Sequence, residues 1–180
     1  MIDPPPEFVT DRLCLRPIHQ ADAEFISSYA QDLEVTHYLS WRRHTDPAQA
    51  QEFVKDCVAA WRTGAAYPWL ILQRDSDQPV GAIELRPGVH GIEFGYVLHR
   101  AFWGRGYMPE IILALKEWSL AQPQVFRFWA YCDVENAASA RVLEKAGLCR
   151  EGLLRRWATA PNLGPEPRDC YCYAAARASS

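Results

Sequence analysis

The sequence predicts a single α/β (α+β) domain on a mixed, mostly antiparallel sheet of about seven strands flanked by about four helices. Three observations carry this. Seven short runs of aliphatic, aromatic and β-branched residues are bounded by Gly, Pro and Asp turns. Four longer stretches repeat their apolar residues at helical spacing. Short connections in the middle of the chain make hairpins, whereas a later strand–helix–strand passage demands a parallel crossover. The 180 residues amount to about one domain at roughly 150 residues each. No repeat, low-complexity tract or linker divides them, so residues 1–180 read as one domain with a loose N-terminal segment over residues 1–10.

Leu13, Leu15 and Ile18 alternate with Cys14 and Arg16, which predicts a first strand ending at Pro17. Residues 21–30 read as a helix carrying Phe25, Ile26 and Tyr29 at helical spacing. Asp46-Pro47 supplies an N-cap and a proline at the first helical position. The helix it opens lines up Phe53, Cys57 and Trp61, and Gly64 stops it. Residues 67–73 and 79–85 form a hairpin across a polar turn, and residues 92–98 add a third antiparallel strand after Pro87-Gly88. A helix then runs to about Ala121 with Ile111, Leu115 and Trp118 on its apolar stripe. Residues 125–132 are so apolar that the strand is expected to be buried on both faces. A further helix runs from the cap at 133–136 to Ala146 and ends at Gly147. Residues 148–157 and 169–176 complete the strands, with a proline-rich loop between them.

The formal net charge is -3 and no Lys/Arg-rich run occurs, so the electrostatic footprint of a nucleic-acid binder is missing. No apolar run approaches the roughly 18 residues of a membrane span. The first ten residues have neither a basic stretch nor an apolar core, unlike a signal peptide. None of the six cysteines forms a C-x-x-C pair, and no Cys/His cluster has zinc spacing, so no metal is expected. They read as reduced thiols of a cytoplasmic protein.

The most informative stretch is residues 103–110, with Gly104 and Gly106 between a strand and a helix. Glycine permits positive φ and close approach of a ligand. Pro109 suits a first helical turn. Amides there have no partner of their own and sit at the positive end of the helix dipole, which favours a pyrophosphate. A dinucleotide fingerprint would need a third glycine where Pro109 stands, and a Walker A loop would need Lys-Ser or Lys-Thr after the glycines. A short turn sized for a diphosphate remains, beside the alternative of a plain tight strand-to-helix turn.

Residues 93–110, E-F-G-Y-V-L-H-R-A-F-W-G-R-G-Y-M-P-E, resemble the GNAT superfamily of N-acetyltransferases. More narrowly they are similar to its branch of ribosomal-protein N-terminal acetyltransferases. Residues 136–148, N-A-A-S-A-R-V-L-E-K-A-G-L, and the opening T-D-R-L-C-L-R-P at 10–17 match the same branch in order. The resemblance implies acetyl-CoA as co-substrate. It places the pantetheine arm in a gap where strand 92–98 splays from strand 125–132, paired with backbone near Val97 and Leu98. It places the pyrophosphate on the turn formed by Trp103, Gly104, Arg105, Gly106, Tyr107 and Met108. It also implies that Asn136 and Ser139 face the same cofactor. Trp103 and Met108 depart from the wider superfamily pattern. Leu143 stands where many relatives carry a tyrosine that protonates the leaving thiolate, so the acid is unassigned.

Transfer from a thioester requires proximity, a neutral amine and a stabilised oxyanion. The oxyanion donor is expected among the backbone amides near Leu98. Glu93 is the first candidate base, ahead of Glu84; the alternative is a salt-bridged or solvated strand residue. Ser139 is a candidate proton donor, and Tyr173 another. Cys132 as an acyl carrier is disfavoured, because direct attack needs no nucleophile. Tyr38 and Trp41, with Arg42-Arg43 and the loop 161–168, are candidate walls for the amine acceptor, a peptide N-terminus or a small molecule. The expected assembly is a monomer or homodimer. A second reading is an acyl-CoA-binding sensor without turnover.

Overall fold

The computed structural model describes residues 2–178. Eight strands make one sheet in the order β1-β2-β3-β4-β5-β6-β8-β7. They are β1 Phe8–Val9, β2 Leu13–Pro17, β3 Tyr67–Gln73, β4 Pro79–Pro87, β5 Gly91–Leu98, β6 Arg127–Asp133, β7 Cys149–Thr159 and β8 Pro167–Ala176. Only β5 and β6 are parallel neighbours; every other pair is antiparallel. The helices are α1 Ala23–Ala30, α2 Leu33–Thr36, α3 Pro47–Thr63, α4 Tyr107–Ala121 and α5 Ala137–Lys145. No described helix is long and apolar enough to cross a membrane.

Alternation along the strands divides the core in two. Leu13, Leu15, Trp69, Ile71, Ile83, Leu85, Phe94 and Phe128 point to one face, where Ile111, Ile112 and Leu115 of α4 and Leu143 of α5 cover them. Leu70, Leu72 and Ala82 point to the other, beneath Ile26 and Tyr29 of α1 and Val54 and Cys57 of α3. The boundaries of α3 follow from its ends. The Asp46 carboxylate accepts from the Ala48 amide in a capping box, Pro47 occupies the first turn, and Gly64 closes the helix at φ 70°.

The structure differs from the sequence reading in three places. Residues 1–10 were expected to be loose, but Phe8–Val9 pairs with β2, Ile2 is 3% exposed, and the Tyr67 hydroxyl donates to the Ile2 carbonyl at 3.0 Å. Met1 lies outside the described residues. Residues 33–36 form a single helical turn, α2, whose cap is the Asp32 carboxylate accepting from Glu34 and Val35. Strand β6 is buried on one face only: Phe128, Ala130 and Cys132 are buried, whereas Arg127, Trp129 and Tyr131 are half-exposed on the other.

β7 forms one edge of the sheet and is exposed along most of its length. Its pairing with β8 is interrupted at Arg150/Gly152 and again at Leu154/Ala158, and Arg156 has φ 49°. The opposite edge, β1, is two residues long.

A partly buried ion pair ties β2 to the start of α1. Arg16 donates to Asp22 at 2.8 and 2.7 Å, and the His19 amide donates to the same carboxylate at 2.8 Å. Burial opposes the charge on Asp22, but the Arg16 guanidinium and the His19 amide outweigh it and hold the carboxyl below its usual range. A depressed folded pKa adds stability that is complete above the unfolded value, near pH 4, and is lost as pH falls through the folded value. Asp22→Asn should therefore lower the unfolding free energy by about 2 kcal/mol at pH 7. The deficit should shrink as urea denaturation is repeated below about pH 4; a deficit independent of pH would exclude the ion pair as its cause.

Candidate active site

β5 and β6 pair only through Gly91–Arg127, Ile92–Phe128 and Glu93–Trp129. Beyond these residues the two strands run on to Leu98 and Asp133 without pairing, which leaves a wedge between them. The His99 amide donates to the Val80 carbonyl on β4. Alternation from there turns the backbone groups of Val97 and Gly95 toward β4 and those of Tyr96 and Leu98 toward the wedge. Val97 was expected to share in pairing the pantetheine arm; its carbonyl instead lies against Gly81 of β4, and its side chain packs on the core beneath α1 and α3. Leu98 does face the wedge, and its carbonyl accepts from the Trp103 indole at 2.8 Å. Trp103, a departure from the superfamily pattern, thus pins the end of β5 to the glycine turn.

That turn has Gly104 at φ 77° and Gly106 at φ 76°, so both need the left-handed region. Among the described residues, no hydrogen bond to protein is donated by the amides of residues 104–108. These five amides gather at the positive end of the 15-residue α4. The Met108 side chain is buried in the core, so only its amide belongs to the turn. Tyr107 is also buried, its hydroxyl bonded to Gln73 at 2.8 Å. Arg105 lies with its guanidinium 5.2 Å from the Phe102 ring centre.

Facing the wedge from α5, the Asn136 side-chain oxygen caps the helix by accepting from the Ser139 amide at 3.0 Å. Its side-chain N–H groups are not engaged in that cap. The Ser139 hydroxyl lies 2.8 Å from the hydroxyl of Tyr96 on β5. Tyr96 shares the Phe94 face of β5, opposite Glu93. Burial pushes its pKa well above the ordinary tyrosine value, with the Ser139 bond acting the other way. Sequence reasoning missed this tyrosine as the partner of Ser139; strand alternation and the Asn136–Ser139 spacing were the available signals. Leu143, at the position of the usual tyrosine, is wholly buried. Tyr173 is buried and donates to Glu144 at 3.0 Å, and burial followed by that carboxylate raises its pKa to about 12. Cys132 is buried, and desolvation pushes its thiol up to about 12, which suits a packed thiol rather than a nucleophile.

Glu93 lies on the other face of β5. It is not free: Arg86, its cross-strand partner on β4, donates to Glu93 at 2.7 Å and to Glu84 at 2.5 Å. The ion-paired alternative describes its resting state. Tyr131 of β6 shares this electrostatic environment; burial raises its pKa, and Glu93 adds to the rise. Its ring meets the half-exposed Trp157 edge-on at 6.1 Å.

Three segments border the C-terminal end of β6. The Tyr38 hydroxyl reaches the Glu135 carbonyl at 3.4 Å. Arg168 bonds both Asp133 and Glu135. Asn162 donates to the carbonyls of Thr36 at 2.7 Å and Trp41 at 2.9 Å and accepts from the Arg43 amide at 2.8 Å, so its whole amide is committed to one facing segment. Trp41 itself packs on the core beneath α1 and α3, 5.3 Å from His44, which makes it a loop anchor here. Arg42 is exposed.

Sheet, wedge and glycine turn together define an N-acetyltransferase. The chain belongs to the acetyltransferase (GNAT) domain family, whose profile matches residues 12–148. It is 30% identical over 151 residues to the uncharacterized N-acetyltransferase p20 of Bacillus licheniformis, spanning 81% of this chain and 84% of that protein. A GNAT-family acetyltransferase from Bacillus anthracis has the same fold with TM-score 0.82 at 26% identity, over 94% of this chain and 98% of the other. RimL, a ribosomal alpha-N-protein acetyltransferase solved with coenzyme A in disulfide linkage to a cysteine, shares the fold at 20% identity with TM-score 0.80, over 94% and 97% of the two chains.

Proposed function

We propose that this N-acetyltransferase moves acetyl from acetyl-CoA to a primary amine by direct attack in a ternary complex. The observation that carries the reading is the run of five unpartnered amides, residues 104–108, beside a wedge with a free strand edge. The amides receive the diphosphate. The edge groups of Tyr96 and Leu98 receive the pantetheine arm as an added strand, with the Asn136 amide alongside. The Leu98 amide serves the oxyanion, because it already faces the wedge and needs no reorganisation. Ser139, backed by Tyr96, gives a proton to the departing thiolate, and the pair takes one back from solvent as CoA leaves. The opposite face, with Glu93 and Glu84 bridged by Arg86, takes the amine and passes its proton to water.

The acceptor enters between Tyr38, the Asn162-held segment and the β7–β8 loop. RimL is a protein alpha-N-acetyltransferase, and by that likeness a peptide N-terminus is the leading acceptor, with a small amine second. Six free thiols fit a reducing, cytoplasmic setting. Thiol release from acetyl-CoA, measured against peptides with free N-termini and against small amines, tests the reading. Saturable CoA binding with no thiol release for any amine would replace it with an acyl-CoA sensor.

A further inference from the structure

The opening Thr10-Asp-Arg12 has no part in the reading above, yet it meets the far end of the glycine turn. Glu110, on the first turn of α4, receives the Thr10 hydroxyl at 2.6 Å and the Arg12 amide at 3.0 Å on one oxygen. On the other it receives the Arg12 guanidinium at 2.7 and 2.6 Å. The remaining arm of Arg12 donates to the Arg105 carbonyl at 3.0 Å. Arg12 also lies over the Tyr107 ring, 4.9 Å from its centre, and within 3.6 Å of where a Cβ on Gly106 would stand. Burial works against the charge on Glu110, but the bonds from Thr10 and Arg12 outweigh it and hold the carboxyl below its usual range.

We infer that Arg12 and Glu110 form a clasp that fixes the direction of the peptide between Arg105 and Gly106, making Arg12 a positioning residue for the nucleotide half of the cofactor. The inference rests on reading residues 104–108 as the diphosphate site. A trans peptide is planar, with its C=O and N–H pointing opposite ways. Holding the Arg105 carbonyl on Arg12 therefore turns the Gly106 amide outward. Glycine on one side of that peptide makes its reversal cheap, since Gly106 accepts either sign of φ. A reversed peptide would present a carbonyl oxygen to the phosphates. The guanidinium is spent on Glu110 and Arg105, so it acts through the turn rather than as a phosphate ligand.

The experiment is calorimetric binding of CoA and of pantetheine, which lacks the diphosphate, to the whole chain and to Arg12→Lys and Glu110→Gln variants. Both variants should weaken CoA about tenfold, the loss of roughly one charge-assisted hydrogen bond. Pantetheine affinity should stay within about twofold, because its sites lie on β5 and α5. Glu110→Gln is the sharper test. It removes a negative charge beside a diphosphate site, so a simple field effect predicts tighter CoA binding and the clasp predicts weaker. Tighter or unchanged CoA binding by Glu110→Gln overturns the clasp. So does equal weakening of both ligands, which would mark a general packing role. A wild-type protein that binds CoA no better than pantetheine would instead overturn the diphosphate reading itself.

Discussion

Ser139→Ala should lower kcat about a hundredfold while leaving CoA affinity within about threefold, the size of effect expected when a positioned proton donor is removed. The departing thiolate needs a proton, and the only hydroxyl pair at the wedge is Ser139 with Tyr96, 2.8 Å apart, among the described residues. Tyr96→Phe should reproduce most of the loss, because serine then loses the hydroxyl that supports it. The double variant should be little worse than the stronger single one, as for residues acting in one relay. Burial holds the Tyr96 proton above the ordinary tyrosine range, so the relay should stay charged with its proton across the neutral and mildly alkaline range. Steady-state rates with a reactive amine, paired with calorimetry on CoA, give both numbers. An unchanged kcat for Ser139→Ala would remove the pair from the chemistry, and additive losses would separate the two residues.

Gly104→Ala should weaken CoA about a hundredfold yet leave the protein folded. Its φ of 77° costs an alanine about 1–2 kcal/mol. Apart from its two chain neighbours, no described protein atom lies within 4 Å of the added Cβ, so no other part of the fold is pushed aside. The methyl group would stand in the space over the amide run, where it would hold the diphosphate off about two charge-assisted hydrogen bonds, together about 3 kcal/mol. Calorimetry with CoA and a melting curve separate the two effects. A variant that melts a few degrees lower but binds CoA normally would show that the open side of Gly104 is not where the ligand lies.

Much of this was legible because it depends on neighbours in sequence. The Asp46-Pro47 start and Gly64 stop of α3 are set by backbone chemistry within a few residues, and the glycine turn by residues 103–110. The β4–β5 hairpin also contained more than was drawn from it: its register puts Arg86 opposite Glu93, so the ion pair follows from counting across the turn. What stayed hidden joins distant positions. Tyr96 meets Ser139 across 43 residues, Arg12 meets Glu110 across 98, and Asn162 meets Thr36 across 126. Periodicity is blind to such contacts. The N-terminal segment failed for a related reason, since prolines and acids look like a loose tail until Tyr67 and β2 supply partners for it. Strand β6 misled by composition: Trp129 and Tyr131 are as apolar as core residues, but they stay half-exposed on the face away from Phe128 and Ala130.

The margins of the sheet bear on how this protein behaves when concentrated. A strand with an unpaired rim invites a neighbour's backbone to join it, and the usual safeguards are brevity, charge and irregular register. One margin here stops after Phe8 and Val9, too short to guide a newcomer. The other is long, but it is broken twice in register, twisted at Arg156 and studded with Arg150, Arg155 and Arg156. Straightening that second margin, by restoring continuous pairing and exchanging its arginines for valine or threonine, would turn a guarded edge into a template for fibres.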